Sequence, residues 1–583
     1  IIFDTDDLTF IPHLARITLI DGIRSAGATE ERIETVFTDM QHTLMHADMG
    51  FAPTDTLAAA MRAYRPVTLT VPNTYDATFL AQARLACRAR KAAPSDALVR
   101  IGYATGSRTH QKDFACACAA LVTLLREKPQ LRLVLFREPE NRRPLVLVDE
   151  FPALRAVAAQ IEWRDLVPFA NFAPELARLD ICIAPLEVRN IFCNAKSEIK
   201  FFEAALAGVP CVASPTAPFR QCMVHGRTGF LADTAAEWEE ALRLLVENPA
   251  LRTRMARDAC HAVLWRFGPQ RQTQLLRTLM DSLNGEDAAT RAAETLIARA
   301  HERTEALPDI AEHTVLFDQD RLDNAAVSVV VTVYNYAAVV LEALESVKAQ
   351  TLYPLDLIVV DDASTDQSAA LIGNWMTRHA ARFNRLILLR TRENAGLGAA
   401  RNCGVAHTET PFFLPLDADN RLRPEACARL LAATHDMTAY AYPIMTQFGA
   451  VPPMPHADPH REHDRDACPG PLMGADPFQP LRFMAGNFLD ALALVAKWAW
   501  AAGGYYTNHR AMGWEDYDLW CSLAELGLRG THVPEILAEY RVHPHSMTNN
   551  VTETACHKER VVALMEQRHP WLRLVQKPAK KRD

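Results

Sequence analysis

Between Val327 and Arg423 the chain alternates apolar strands with helical stretches, and the strands end in polar residues. VSVVVTVYN is the first, LIVVDDASTD the second, and FFLPLDADN a later one closing on Asp417-Ala418-Asp419. Alternation of this kind restricts the fold to α/β with a largely parallel sheet. Ligands of such sheets bind outside the carboxyl ends of the strands, where these polar residues gather. Two carboxylates one residue apart at a strand end can hold a hard divalent cation that also meets phosphate oxygens. A surface turn would account for an isolated Asp-x-Asp pair. Helix capping would account for Asp362-Ala363-Ser364-Thr365-Asp366. Neither accounts for the ordered series through Asp417 and Asp419.

With NAGLGAARNCG between them, these segments resemble the family 2 glycosyltransferases, over roughly 220 residues to about His545. The resemblance implies a GT-A (nucleotide-diphospho-sugar transferase) fold and inverting, metal-dependent sugar transfer. It places Thr332 and Tyr334 beside the base of a nucleotide, with Asp361 and Asp362 at the end of the second strand and Asp362 favoured for the base N–H. It also puts Arg401 near the nucleotide and a Mn²⁺ or Mg²⁺ ion on Asp417 and Asp419. Gly513-Trp514-Glu515-Asp516 looks like the segment that supplies the base in many inverting enzymes of this type. Direct displacement needs a base within hydrogen-bond reach of the acceptor hydroxyl. Asp516 is expected in that role, and Glu515 is expected to orient the acceptor. Carboxylates at a helix start are also favoured by its dipole alone. In YRVHPHSMTNN, His543 fits a metal-ligand place better than His545, and the same loop could close over the donor.

The first half carries a second pattern. LVRIGYATGSRTHQKDF reads as strand, loop and helix, LRLVLF and DICIAP as strands, and KSEIKFFEAALAGVPCVAS as helix, Gly stop and buried strand. From about Val71 to Phe267 this order resembles the donor-binding Rossmann-like half of family 4 glycosyltransferases, which have a GT-B fold. Arg108 and Lys112 then match a basic pair on the donor diphosphate, and Glu203 an acid that holds the ribose. The family's first acidic position falls on Ala195, beside Lys196, which places the usual sugar contact in question. About 70 residues precede the crossover VPNTYDATF, fewer than the ~100 usual for a complete acceptor domain. That half is expected to be reduced, or incomplete at its start.

The expected organisation is therefore a partial acceptor-side region at 1–70 and a donor-binding Rossmann-like domain at 71–282. A helical linker at 283–325 and a GT-A domain at 326–583 follow. GEDAATRAAETLIARAHERTEAL reads as a bridging helix, PDIAEHTVLFDQDRLDNAA as an irregular connector, and the Pro- and His-rich stretch within 449–480 as an inserted loop. A net charge of −8 argues against nucleic acid as the main partner. The scattered cysteines suit reduced thiols in a cytoplasm, and no apolar run reaches the ~18 residues of a membrane span. The terminal KPAKKRD could touch anionic lipid at the inner face of a membrane, though a solubilising end is the favoured reading. The expected partners are a nucleotide-sugar donor, taken as UDP-linked, and a saccharide or lipid-linked saccharide acceptor. Bacterial surface glycans are a common setting for such tandem enzymes. Two other readings compete. One is a sugar nucleotidyltransferase, whose Gly-rich basic loop VTVYNYAAVV lacks. The other is a non-catalytic saccharide-binding scaffold, which leaves Asp417, Asp419 and Asp516 unexplained together.

Overall fold

The computed structural model describes residues 1–25, 27–94, 96–281, 307–449, 472–508, 513–543 and 555–574. The chain divides into two compact units, Ile1–Ala298 and Arg299–Asp583. The expected bridging helix, most of the Pro- and His-rich loop, His545 and the basic tail lie outside the described residues.

The first unit holds two parallel sheets. Strands β1 (Ile2–Asp4), β2 (Met49–Ala52) and β3 (Thr68–Thr70) form the smaller. The larger comprises β4 (Val99–Gly102), β5 (Leu131–Arg137), β6 (Ile161–Asp165), β7 (Ile181–Ala184), β8 (Cys211–Ala213) and β9 (Phe230–Leu231). Its spatial order is β6-β5-β4-β7-β8-β9, so successive connections run outward in opposite directions from the β4/β7 pair. The segment read as helix, stop and strand folds that way. Helix Ile199–Leu206 ends at Gly208, whose φ of +69° costs a glycine nothing, and β8 follows. Cys116 and Cys118 share helix Gln111–Glu127.

The second unit is built on one ten-stranded mixed sheet. Its strands are β10 (His313–Asp320), β11 (Val327–Val333), β12 (Asp356–Asp361), β13 (Arg385–Thr391), β14 (Phe412–Asp417), β15 (Arg421–Leu422), β16 (Tyr440–Gly449), β17 (Leu472–Met473), β18 (Leu494–Ala496) and β19 (Gly530–Val542). The path runs β10-β13-β12-β11-β14-β18-β16-β19-β15, with β17 beside β16. The four central strands β13, β12, β11 and β14 are parallel, and all seven residues of β11 are buried. Continuous apolar runs such as VSVVVTV are what a strand covered on both faces requires.

One expectation is corrected here. The stretch from Pro308 is not irregular throughout: β10 pairs antiparallel with β13 along its length. The fold of the second unit therefore begins before residue 326. β10 is an edge strand whose residues are mostly exposed or half-buried, so it lacks the apolar run that marks its neighbours. ALALVAKWAWAA splits into β18 and helix Lys497–Ala502. Among the described residues no helix is long and apolar enough to cross a membrane.

Candidate functional site

Parallel pairing brings the polar strand ends of the second unit together. Thr332 is level with Asp417 across β11 and β14, and Val333 is level with Asp361 across β11 and β12. The loops are then laced to one another. Asn335, at φ +60°, accepts hydrogen bonds from the Thr365 N–H (2.7 Å) and the Thr365 hydroxyl (3.2 Å). Asp362 accepts from the Thr391 hydroxyl (2.8 Å) and from the Ala395 (2.9 Å) and Gly396 (3.0 Å) N–H groups. It thereby fixes the loop that starts helix Leu397–Ala406. Asp361 is buried, and its Oδ2 lies 3.0 Å from the Arg390 guanidinium. Burial raises its pKa, with Arg390 and Ser364 opposing.

Helix Leu397–Ala406 lies hard on the sheet. A Cβ on Gly404 would come 2.4 Å from Val330 Cγ1, and one on Gly398 would come 2.2 Å from the Thr507 carbonyl oxygen. The close approach carries Arg401 into the site, where it is 3% exposed. Its Nη2 donates to Asp417 Oδ1 at 2.8 Å, and its Nη1 pairs with Glu515. Asn402, the next residue, receives Trp500 Nε1 and Tyr506 N–H at 3.0 Å each and so ties down the segment before Glu515. Gly513 and Trp514 both take positive φ, +74° and +66°, which turns the chain sharply into helix Glu515–Glu525.

Around Arg401 the carboxylates are crowded. Glu515 is buried, and burial pushes its pKa up despite Arg401. Asp516 is half-buried and accepts from Asn487 Nδ2 at 2.9 Å; burial raises its pKa too, with Asp490 adding to the effect. Asp490 is pushed up to about 6 by burial and by Asp417. Asp419 is raised by burial and by the like charge of Asp417, while His543 opposes this. His543 Nε2 sits 2.9 Å from Asp419 Oδ2, and its ring meets Tyr336 edge-on at 6.2 Å. Arg541 donates to the Asp419 carbonyl at 3.0 Å and holds the backbone in place.

In the first unit, the loops after β4 and β7 open onto a cavity of about 550 Å³. Asp7, His110, Lys112, Lys196, Lys200 and Glu203 are among its lining residues. Glu203 is pushed up to about 7 by burial, with Lys200 opposing. Lys200 is lowered by burial and by Lys196. Lys112 Nζ donates to the Ile17 and Thr18 carbonyls at 3.0 Å each. Ala195 is buried, and its carbonyl accepts from the Thr54 hydroxyl at 3.0 Å.

Comparison with known proteins matches residues 328–485 to the family model described as glycosyl transferase family 2, and residues 99–248 to glycosyl transferases group 1. The chain is a tandem of a group 1 and a family 2 glycosyltransferase region. Among curated relatives, the teichoic acid poly(glycerol phosphate) polymerase of Staphylococcus epidermidis is 33% identical over 117 residues, covering 20% of this chain and 16% of that protein. The hyaluronan synthase of Streptococcus pyogenes is 35% identical over 118 residues, covering 20% and 28% respectively. The chain thus spans well under a third of the length of either. Among solved structures, S. aureus TarS 1–349 in complex with UDP-GlcNAc gives a TM-score of 0.33 at 16% identity, over 42% of this chain and 66% of that one. Such a score is too low to carry a shared fold.

The family 2 match includes Thr332, Tyr334, Asp361, Asp362, Arg401, Asp417 and Asp419, and ends before Asp490, Glu515, Asp516 and His543. In the family 2 region the structure gathers Arg401, Asp417, Glu515 and Asp516 on one side of the strand ends, and Asp419 with His543. Tyr334, just past the end of β11, is 44% exposed. Arg401, expected near a nucleotide, has carboxylates as its immediate partners. In the group 1 region Lys112, Lys196 and Glu203 share the cavity, but Arg108 is not among its lining residues. Arg108 donates through Nε to the Pro144 carbonyl at 3.1 Å and pairs with Glu138. A paired Arg108–Lys112 grip is therefore not what the fold presents: the residues are four apart, but Arg108 turns toward the loop after β5. Sequence reasoning missed Asn487 and Asp490. They follow the Pro-rich stretch in no motif, and the only available signal is two short polar residues framing an apolar pair, N-F-L-D.

Proposed function

We propose that the family 2 region transfers a glycosyl group, with inversion, from a nucleotide-diphospho-sugar to a hydroxyl of a saccharide or lipid-linked saccharide. Synthesis of a surface polysaccharide is the setting that fits the names of its relatives, and a UDP-sugar the donor the residues suit. The observation that carries this reading is the convergence of Asp417, Glu515 and Asp516 on the buried Arg401 at the carboxyl ends of β11 and β14, with Asp419 in the field of Asp417 and paired with His543. Such crowding raises carboxylate pKa values, a common mark of working sites.

Roles follow from what each side chain touches. Glu515 is engaged by Arg401, so its charge is spent on holding the helix start. Asp516 is held from one side by Asn487, and its raised pKa makes it a better proton acceptor near neutrality than an ordinary aspartate. Asp516 takes the proton of the acceptor hydroxyl as that oxygen attacks the anomeric carbon. Thr332, Tyr334 and Asp361 border the place for the base, and Asp362 shapes it by holding Ala395 and Gly396. Asp417, Asp419 and His543 suit a hard divalent cation, because two like-charged carboxylates lie together, Asp419 being raised by burial and then by that proximity. A Mn²⁺ or Mg²⁺ ion there would neutralise the departing nucleoside diphosphate.

For the group 1 region we propose donor binding at this cavity, lined by both lysines and carboxylates, with Lys112, Lys196 and Glu203 as contacts and weak or no transfer. Ala195 offers no carboxylate where the family has one. The domain division proposed is 1–70, 71–282 and a family 2 domain that includes β10.

Release of UDP from a donor panel, with Mn²⁺ and with chelator, tests the reading. Cation-dependent release that Asp516→Asn suppresses supports it. Pyrophosphate release from a nucleoside triphosphate would point to nucleotidyl transfer instead, and thermal protection by donors without turnover to a binding scaffold.

A further inference from the structure

Away from the acidic site, the family 2 region holds a second cluster of ligand-type atoms. His313 opens β10, while Cys403 and His407 lie one turn apart at the end of helix Leu397–Ala406. Their donor atoms all fall within 4.8 Å of one another. Cys403 is fully buried and both histidines are half-buried.

The hydrogen bonds assign the protons. His313 Nδ1 lies 2.7 Å from the Ala311 carbonyl oxygen, and His407 Nδ1 lies 2.8 Å from the Cys403 carbonyl oxygen. A carbonyl only accepts, so each Nδ1 carries the proton and donates it. In the neutral rings each Nε2 then presents a lone pair, and these two atoms face each other at 3.2 Å. Lone pairs so close repel unless positive charge lies between them. That charge is either one extra proton or a metal ion.

Three features favour the metal. A tetrahedral ion with metal–nitrogen bonds of ~2.0–2.1 Å sets two ring nitrogens about 3.3 Å apart. A histidine ligand held through its other ring nitrogen by a backbone carbonyl is the usual support for a metal site. Cys403 Sγ lies 3.4 Å from His313 Nδ1 and belongs to the same cluster of donor atoms within 4.8 Å of one another, adding a sulfur donor that a proton bridge has no use for. We propose that His313, Cys403 and His407 bind a borderline-soft transition metal ion of the Zn²⁺ class, with a further coordination position left to another donor. Binding forms a metal–sulfur bond and releases the Cys403 proton to solvent, with no change of oxidation state.

The ion pins β10 to the helix that carries Arg401. His313 is level with Thr391, whose hydroxyl holds Asp362, so the brace stands directly behind the proposed donor loop. Nitrogen and sulfur donors here, and oxygen donors at Asp417 and Asp419, select different metals.

The test uses the full chain, stripped with chelator and titrated with Co²⁺. Expected is a thiolate-to-cobalt charge-transfer band that saturates at one ion and is displaced by Zn²⁺. Cys403→Ser and, independently, His313→Gln on the exposed edge strand should remove it, with circular dichroism confirming that each variant folds. Cys87→Ser, which removes a thiol elsewhere, and Asp419→Ala should keep it. A wild type without the band overturns the proposal, as does a band undiminished in Cys403→Ser and His313→Gln. So does a chain that takes no Co²⁺ through sulfur but loses stability, in a His313-dependent way, as pH rises. That chain holds a proton between the rings.

Discussion

Replacing Asp490 with Asn should stabilise the cation-free protein at neutral pH. Asp490 is half-buried, and to the cost of that burial the fields of Asp417 and Asp419 add, only partly offset by Arg401. Its carboxyl is pushed up to about 6 from 3.8. At ~1.36 kcal/mol per pH unit, that gap corresponds to about 3 kcal/mol of folding free energy. The sign follows from which state holds the proton. Below pH 3.8 both folded and unfolded chains keep it, and ionisation costs nothing. Between 3.8 and about 6 the unfolded chain ionises first, so the folded state loses ground. Above about 6 the whole cost is present. Asn resembles the neutral acid and retains the acceptor for the Leu492 N–H, 2.9 Å away. Urea unfolding in chelator from pH 4 to 8, read by tryptophan emission, should therefore show the variant level with wild type at pH 4. Near pH 7 it should be more stable by up to about 3 kcal/mol. Mn²⁺ should narrow the gap, because a cation on the neighbouring carboxylates lowers the cost of ionising Asp490. A pH-independent difference, or a variant less stable at pH 7, would refute the reasoning that these carboxylates share one field.

Other outcomes follow from the same geometry. Asp419→Ala should abolish cation-dependent transfer while leaving the circular dichroism spectrum intact; full turnover at saturating Mn²⁺ would remove Asp419 from the proposed cation site. Asp516→Asn should lower turnover by about 10²-fold or more with donor binding kept, and if Glu515→Gln is the more damaging change, the two roles are exchanged. Arg401→Met should cost about 3–5 kcal/mol, since it strands Glu515 as a buried unpaired charge, and adding Glu515→Gln should restore part of that loss in urea unfolding. A fragment starting at residue 307 should fold and release nucleotide from donor, whereas one starting at 325 lacks β10, bares the edge of β13 and should be less soluble.

What the chain disclosed of itself depended on burial. β11, β12 and β14 are covered on both faces and so read as unbroken apolar runs, which is why their ends and Asp417 could be placed by inspection. β10 lies at the edge and mixes Thr, Asp and Gln with apolar residues, so its pairing came from the partner strand and left no local mark. Arg401 was legible as a residue of the site, yet its partners were not. Its pairing with Glu515 spans 114 positions and exists only because Gly398 and Gly404 let the helix settle so close. Asn487 and Asp490 were invisible for a related reason: an acid's role there is set by charges on β14 and helix Glu515–Glu525, not by its neighbours in sequence. Arg108 shows the converse, since adjacency to Lys112 in the chain did not survive the turn of the loop.

Both candidate sites stand at the same kind of place in their sheets. In the larger sheet of the first unit, the connections diverge between β4 and β7; in the second unit they diverge between β11 and β14. A crevice opens wherever loops part in this manner. A nucleoside diphosphate held in either crevice needs positive charge. The group 1 cavity is lined by Lys112, Lys196 and Lys200, but also by Asp6, Asp7, Asp21, Asp113, Glu187 and Glu203, and burial, then the charge of Lys196, lowers the Lys200 pKa. The family 2 region places more carboxylates than cations at its crevice: Arg401 neutralises Asp417 and Glu515 only in part, and Asp419, Asp490 and Asp516 remain raised. An anionic ligand would be repelled from that arrangement as it stands. The residues of the second crevice therefore make sense with a divalent cation. Added Mn²⁺ should accordingly sharpen nucleotide binding in the second unit, an effect that Asp419→Ala should erase.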